Sequence, residues 1–479
     1  MKRRRIVLLL PIAAVIAAVL TVSGLWRRAS FRAEILRASV PARPALTGLP
    51  AELTRRVAAC EQLIESGSSG VVSLGELAEL YHANGFWTEA SVCYRGLLRL
   101  DPRNPRWPHL LAGIYADYGQ LDEALALWRH ATELAPDYLP ARIRTGDALW
   151  KLNRGAEAAM AYQEVLAREA DNPYALLGLA RIDVAEKRWA QARARLESAA
   201  QRSNFKIGGD LLATVYEQLG QHDRAADIRA RSKSSGAFYD IPDPWKDELM
   251  EGCFDVYRLS VAGGFAAHRG DMTTALRLLE RAIVLAPDNA QTYLQIGLLE
   301  MQGKDYAKAR RHFERCVALA PDFSDGWAQL YGVYLALGDD AAAARALATG
   351  LEHCPQSPGL HLNWARRLAV ADDWNRAAAE YEEVIRLRPN EAGPFVELAS
   401  LYFKHDRVSE GVALLHRALA GEPDFPPALG VMAFYSITTG DEAAAREWML
   451  RARRQVRLPH AQLQTLIAQY RQQFGHEPW

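Results

Sequence analysis

The chain has 479 residues, 57 of them basic and 57 acidic, and that length is too great for one ordinary compact core. The neutrality hides an asymmetry: Lys2, Arg3, Arg4, Arg5, Arg27 and Arg28 fall in the first 28 residues with no acid among them, so the remainder carries six more acids than bases. A mildly acidic body excludes capture of nucleic acid on a basic face, and five scattered cysteines without a C-x-x-C pair exclude a zinc knuckle or a thioredoxin-like redox pair.

From the N-terminus, Ile6 to Leu25 is a run of 20 residues without a charge. As a helix it is about 30 Å long, enough to cross the hydrocarbon core of a bilayer. Residues 1–28 are therefore expected to form a signal anchor that enters the membrane through residues 6–25. Lys2–Arg5 would stay in the cytoplasm and the rest would lie outside it. A cleaved signal peptide is the alternative, with Val22 and Gly24 as the small residues before the cut, although signal-peptide apolar regions are usually shorter. A body facing the cytoplasm is a third arrangement. "ASVPARPALTGLP" (Ala38–Pro50) has three prolines and a glycine, so residues 29–50 are expected to form an extended spacer.

Residues 51–66 have helical spacing and are expected to lead a first stack of about five helical pairs, residues 51–235. The tetrapeptide LAPD recurs at Leu134, Leu285 and Leu319, the last two 34 residues apart. Stepping by 34 picks out Pro102 and Pro136, then Pro287, Pro321, Pro355, Pro389 and Pro423. Each would stop a helix, because proline lacks the N–H and clashes with the preceding turn. Twelve residues before each proline stands a small residue: Ala90, Ala124, Ala275, Ala309, Ala343, Ala377 and Gly411. Degenerate copies keep Ala158, Ala192, Ala225 and Ala445. A residue this small lets two helices approach closely. Four residues later comes a bulky group, such as Tyr94, Trp128, Tyr162, Phe313 or Tyr381, one turn along the same face. Gly85, Gly119, Gly220, Gly270, Gly338 and Gly440 mark the turn inside each pair, where a left-handed backbone suits glycine.

The register is lost at residues 236–255, where Pro242, Pro244, Phe238, Tyr239 and Trp245 occur. The insert is expected to act as a hinge, or as a plug whose aromatic rings pack on the helices. A second stack of about six pairs is expected over residues 256–457. Residues 458–479 end the chain with Leu463, Leu466, Ile467 and Tyr470 at the spacing of an amphipathic helix, placed to cap the last pair.

A 34-residue period is that of a helix–turn–helix repeat, and its residues carry a resemblance. In "WAQLYGVYLALGDDAAAARALATGLEHCP", Trp327, Leu330, Tyr334, Gly338, Ala343, Leu347 and Pro355 resemble the pattern of the tetratricopeptide repeat (TPR) superfamily, with Tyr331 where that family usually has glycine. The resemblance covers about residues 71–457 in eleven units. It implies an all-α fold, a right-handed α-solenoid in two stacks, whose first helices line a face that binds a protein or peptide.

Carried onto this chain, the binding positions are Arg144, Asp147 and Lys151 in the third unit and Arg181 in the fourth. In the second stack they are Gln291, Gln295, Met301, Gln329, Asn363, Arg366, Glu397, Phe403 and Phe434. Some members clamp a C-terminal carboxylate with lysines; Ile143 and Leu294 occupy those places here, so that clamp is not expected. No G-x-S-x-G, H-E-x-x-H or phosphate-binding glycine loop is present. No catalytic, cofactor or metal residue is therefore expected, and the neighbouring His353, Cys354 and His361 straddle a proline turn. The expected function is a membrane-tethered scaffold for an envelope assembly. One rival is a subunit of an enzyme complex that uses the insert around Trp245. A second is a cytoplasm-facing adaptor.

Overall fold

The computed structural model describes residues 30–67, 69–202, 206–232, 241–453 and 460–479. The expected membrane span at residues 6–25, and Phe238 and Tyr239 of the insert, lie outside them. Among the described residues the regular structure is entirely helical, and no helix is long and apolar enough to cross a membrane.

The period read from the sequence is the period of the helices. Helices end at Leu100, Leu134, Leu285, Leu319, His353, Leu387 and Gly421, each two residues before one of the prolines. The small positions are the tightest points: Ala90, Ala124, Ala275, Ala309, Ala343 and Ala377 are fully buried. The partner ring often needs a glycine on the first helix. A methyl group at Gly146 or Gly178 would run into the Tyr162 ring, and one at Gly297 into Phe313. Gly411 replaces the expected alanine because the Phe403 ring fills that space.

The turn inside each pair is left-handed at glycine where glycine is present, as at Gly119 and Gly338 (φ 77° and 76°). The same position is left-handed at Asn153, Lys187, Lys304, Asp372 and Asp406. Asn153, Asp372 and Asp406 accept this conformation more readily than most residues, whereas at Lys187 and Lys304 the fold imposes it. Second helices start on acidic caps: Asp271, Asp305, Asp339 and Asp441 accept a backbone N–H, as helix ends require. Asp373, at the equivalent place, makes no such bond.

The chain divides into two compact units. One comprises residues up to Gln221 with Ile228–Ala286, the other His222–Asp227 with Pro287–Trp479. In the first, helix Ala51–Glu65 buries Leu53, Val57, Cys60 and Ile64 against the first repeat. Part of the stretch expected as an extended spacer is packed instead. Residues 30–38 are helical, Ile35 is buried, and Arg32 donates to the Leu100 carbonyl at 3.1 Å.

The pair Val256–His268 and Met272–Leu285, grouped by sequence with the repeats that follow it, lies in the first unit. Its Leu259, Leu278 and Ala282 share a core with Leu77, Leu80 and Tyr81 of the first repeat. Arg258 Nε donates to the Ala83 carbonyl at 2.7 Å. Asn84 bridges the insert from both sides, donating to the Gly252 carbonyl at 2.8 Å and accepting from the Phe254 N–H at 2.7 Å.

In the second unit the first helices are Ala290–Gln302, Ser324–Ala336, Pro358–Val370, Ala392–Lys404 and Pro426–Thr439. The last pair is covered by His460–Phe474, which buries Leu466, Ile467 and Tyr470. All five cysteines are buried free thiols.

Candidate binding surfaces on the first helices

In the first unit the insert lies against first helices. Asp243 is its anchor. The carboxylate caps the short helix Pro244–Leu249 through the Lys246 N–H, and it accepts from His109 Nε2 at 2.7 Å and from the Tyr138 hydroxyl at 2.5 Å. Burial alone would push this acid up, but the His109 bond and charge and the Tyr138 hydroxyl outweigh it and hold it well below the usual carboxylate range. The Tyr138 oxygen in turn accepts from the Trp245 N–H at 3.1 Å. The Trp245 ring stacks on Tyr138 with centroids 3.5 Å apart and meets His109 edge-on. Of the two expectations for the insert, its described part matches the packed plug at Trp245, and the physical reason is this shared aromatic and carboxylate anchor.

Beside the anchor is a cavity of about 440 Å³, within the range of small-molecule sites. All four candidate residues of the first stack line it: Arg144, Asp147 and Lys151 from Leu139–Lys151, and Arg181 from the next first helix. The insert supplies Asp243 and Lys246. Asp147 is deeply placed and raised by burial; it accepts from the Tyr162 hydroxyl at 2.7 Å and faces Arg181 at 4.0 Å. His82, also on the wall, is lowered by burial and by the charges of Lys246 and Arg258 to about 3, so it is neutral near pH 7.

Much of the wall escaped the sequence reading, His82, His109, Asp117, Trp128 and Gly113 among it. Trp128 had been assigned only as a packing residue, yet it also lines this wall. Gly113 stands 34 residues before Asp147, which stands 34 before Arg181. That common register was the available signal.

The second unit presents the same register. Leu298, Gly332, Arg366, Ser400 and Phe434 recur every 34 residues on five successive first helices. Leu298 is 40% exposed and Phe434 44%, and Arg366 and Ser400 are also exposed. One turn earlier runs a half-buried polar row of Gln295, Gln329, Asn363 and Glu397. Arg366 and Glu397 meet each other, with two bonds of 2.8 and 2.6 Å, and Tyr381 also donates to Glu397 at 3.0 Å. Gln291 is exposed at the start of its helix, and Met301 is half-buried near its end. Phe403 is half-buried and turned toward Gly411 and Tyr435, 6.1 Å away, so it is a packing residue first. Ile143 and Leu294, where clamp lysines would stand, are buried in the core.

Around Pro355 the histidines have separate partners. His361 bonds Glu380 at 2.6 Å, while His353 stacks on Trp327. Among the described residues no group of three metal-ligating side chains converges.

Family models described as tetratricopeptide repeat match residues 149–205 and 266–324. Cellulose synthase operon protein C of Xanthomonas axonopodis pv. citri (strain 306) is 25% identical over 429 residues, covering 80% of this chain and 28% of that protein. Cellulose synthase 1 operon protein C of Komagataeibacter xylinus is 25% identical over 272 residues, covering 53% and 19%. The chain thus spans between about a fifth and just over a quarter of the length of these relatives. Among solved structures, the crystal structure of yeast Tom70 aligns over 84% of this chain and 96% of its own, at 16% identity and a TM-score of 0.38.

Proposed function

As a member of the tetratricopeptide repeat superfamily, the chain is a repeat scaffold for protein interactions, and we propose that the first-helix face of its second unit grips an extended polypeptide segment. The observation that carries this reading is the row Leu298, Gly332, Arg366, Ser400 and Phe434, exposed at every place except the half-buried Gly332. Apolar side chains at its ends and a cation at its centre suit a segment with spaced apolar anchors and an acidic or carbonyl-rich middle. The Arg366–Glu397 pair does not bar such a ligand, because exposed ion pairs contribute only about 0–1 kcal/mol and open readily.

The scaffold is proposed to be tethered through residues 6–25, with the repeats outside the cytoplasm. A tether raises the local concentration of the binding face near membrane partners. Relatives named for a cellulose synthase operon favour a partner from machinery of that kind.

The test is photo-cross-linking in intact cells from a reactive residue placed at Phe434 or Leu298, compared with Ala348, which is exposed on a second helix. A discrete polypeptide captured from the first two positions and not from Ala348 supports the reading. Equal capture from Ala348, or none from Phe434 and Leu298, removes it. For the tether, activity of a cytoplasm-only reporter fused after Trp479 would refute the topology.

A further inference from the structure

We infer that the end of the first unit carrying residues 30–38 lies against the lipid bilayer, with Phe31 in the interfacial layer and exposed arginines on anionic headgroups. The inference rests on the proposed anchoring of residues 6–25, and it holds on whichever side of the bilayer the repeats lie.

The length of the connection sets the distance. Four residues, Trp26 to Ala29, separate the apolar run from Ser30, where the packed helix begins. At full extension that link reaches about 17 Å from Leu25. The headgroup layer takes roughly 5–8 Å of this on each side of the hydrocarbon core. Ser30 therefore stays within about 10 Å of the outer lipid surface. The helix it starts is stitched to the first repeat. Arg32 donates to the Leu100 carbonyl at 3.1 Å, and Ile35 is buried in the core of that repeat. Leu36 packs over Gly70, and Ser39 fills the space beside Gly96. A free spacer would let the body stand off; a packed helix makes it meet the bilayer at this end.

The side chains at that end suit lipid. Phe31 is 57% exposed, and aromatic rings favour the layer between headgroups and tails. The two segments that meet here, residues 26–40 and 95–104, hold seven arginines against Glu34 and Asp101. Asp101 is engaged by Trp107 Nε1 at 3.0 Å and Asn104 Nδ2 at 3.1 Å. Glu34 is exposed and subtracts one charge. Arg32, Arg37, Arg95, Arg99 and Arg103 are all exposed, and none is ion-paired among the described residues; Arg95 holds only the Tyr115 hydroxyl, at 3.3 Å. By contrast Arg43, Arg55 and Arg56, next along the chain, each hold a glutamate. An unpaired basic cluster on an otherwise acidic body is matched by anionic headgroups within a Debye length of about 8 Å.

The experiment places the full chain in vesicles of phosphatidylcholine, with and without phosphatidylglycerol. All five native cysteines are buried, so a nitroxide attaches at Phe31→Cys or, as the control, at Tyr118→Cys. Tyr118 is 55% exposed at the far end of helix Arg106–Asp117, about 18 Å along it. With phosphatidylglycerol present, the Phe31→Cys label collides with oxygen, which dissolves in lipid, and is shielded severalfold from an aqueous nickel chelate. The Tyr118→Cys label collides freely with the chelate. Arg99→Glu combined with Arg103→Glu returns the Phe31→Cys label to water while the helical spectrum stays unchanged. An alkaline wash that strips the chain from the vesicles refutes the anchor, and the inference falls with it. A chain that stays in the vesicles while both labels meet the chelate alike overturns the inference alone. So does shielding that is equal without phosphatidylglycerol or that survives the charge reversal.

Discussion

Two stretches of the molecule use the same register to different ends. Gly113, Asp147 and Arg181 follow one another at 34 residues, and so do Leu298, Gly332, Arg366, Ser400 and Phe434. In the first unit that row lines a cavity, because the insert and Val256–His268 contribute Asp243, Lys246 and Phe265 to its wall. In the second unit the row has no insert over it, and its ends are exposed. One repeat geometry thus yields a recessed polar site or an extended open face, and the deciding factor is a non-repeating segment of about twenty residues.

The largest effect expected from testing this contrast is at the anchor. Asp243→Ala strips the acceptor from buried His109 and Tyr138 and uncaps Pro244–Leu249; about 3 kcal/mol of stability should be lost. Hydrogen exchange should locate the loss in residues 244–268 and leave the second unit unchanged. Uniform loss through both units would show that the anchor is not local. The same carboxylate sets a pH dependence. Its folded value lies below the ordinary one of about 3.9, so its contribution is complete above that value and drains as pH falls below about 4. Protection of residues 244–268 should fall in that acid window in the native chain and show no such step in Asp243→Asn.

Next comes a change in the repeat that the second unit depends on. Ala309→Leu puts a branched side chain where no solvent space remains and should destabilise by roughly 1–3 kcal/mol through overpacking. An unaltered melting curve would break the register on which both rows stand. A smaller effect of opposite sign is expected at the turns. Lys187 in the first unit and Lys304 in the second hold φ of 59° and 62°. Changing either to glycine should stabilise by about 1 kcal/mol, measured by denaturant midpoint, and the two should agree if the repeat backbone is equivalent in both units. The smallest effect is at Arg366→Ala. Stability should move by less than about 1 kcal/mol, while cross-linking from Phe434 falls. A large loss of stability would make Arg366 a structural residue and not part of a binding face.

Much of the fold was legible because the repeat is written in local terms. Proline positions, the buried alanines and the glycine turns all depend on neighbours within one helical pair. Where neither glycine nor Asn or Asp was present the left-handed turn was hidden: Lys187 and Lys304 carry no sign of φ > 0 in their chemistry. Phe403 was taken for a contact residue since its position faces outward in an average repeat, yet Gly411 gives its ring a place to pack. Arg144, Asp147, Lys151 and Arg181 were picked out singly, and their meeting in one cavity followed from the 34-residue register.

The sequence by itself determined the helices, their pairing and their period, because each is set by side chains three, four or twelve positions apart. Only the tertiary structure decided that the insert and the pair after it join the first repeat. That union rests on Asn84 with Gly252 and Phe254, Arg258 with Ala83, and Asp243 with His109 and Tyr138. These partners are separated by more than a hundred residues, beyond any periodic signal, and become neighbours only when the chain has closed on itself and buried the groups that hold it.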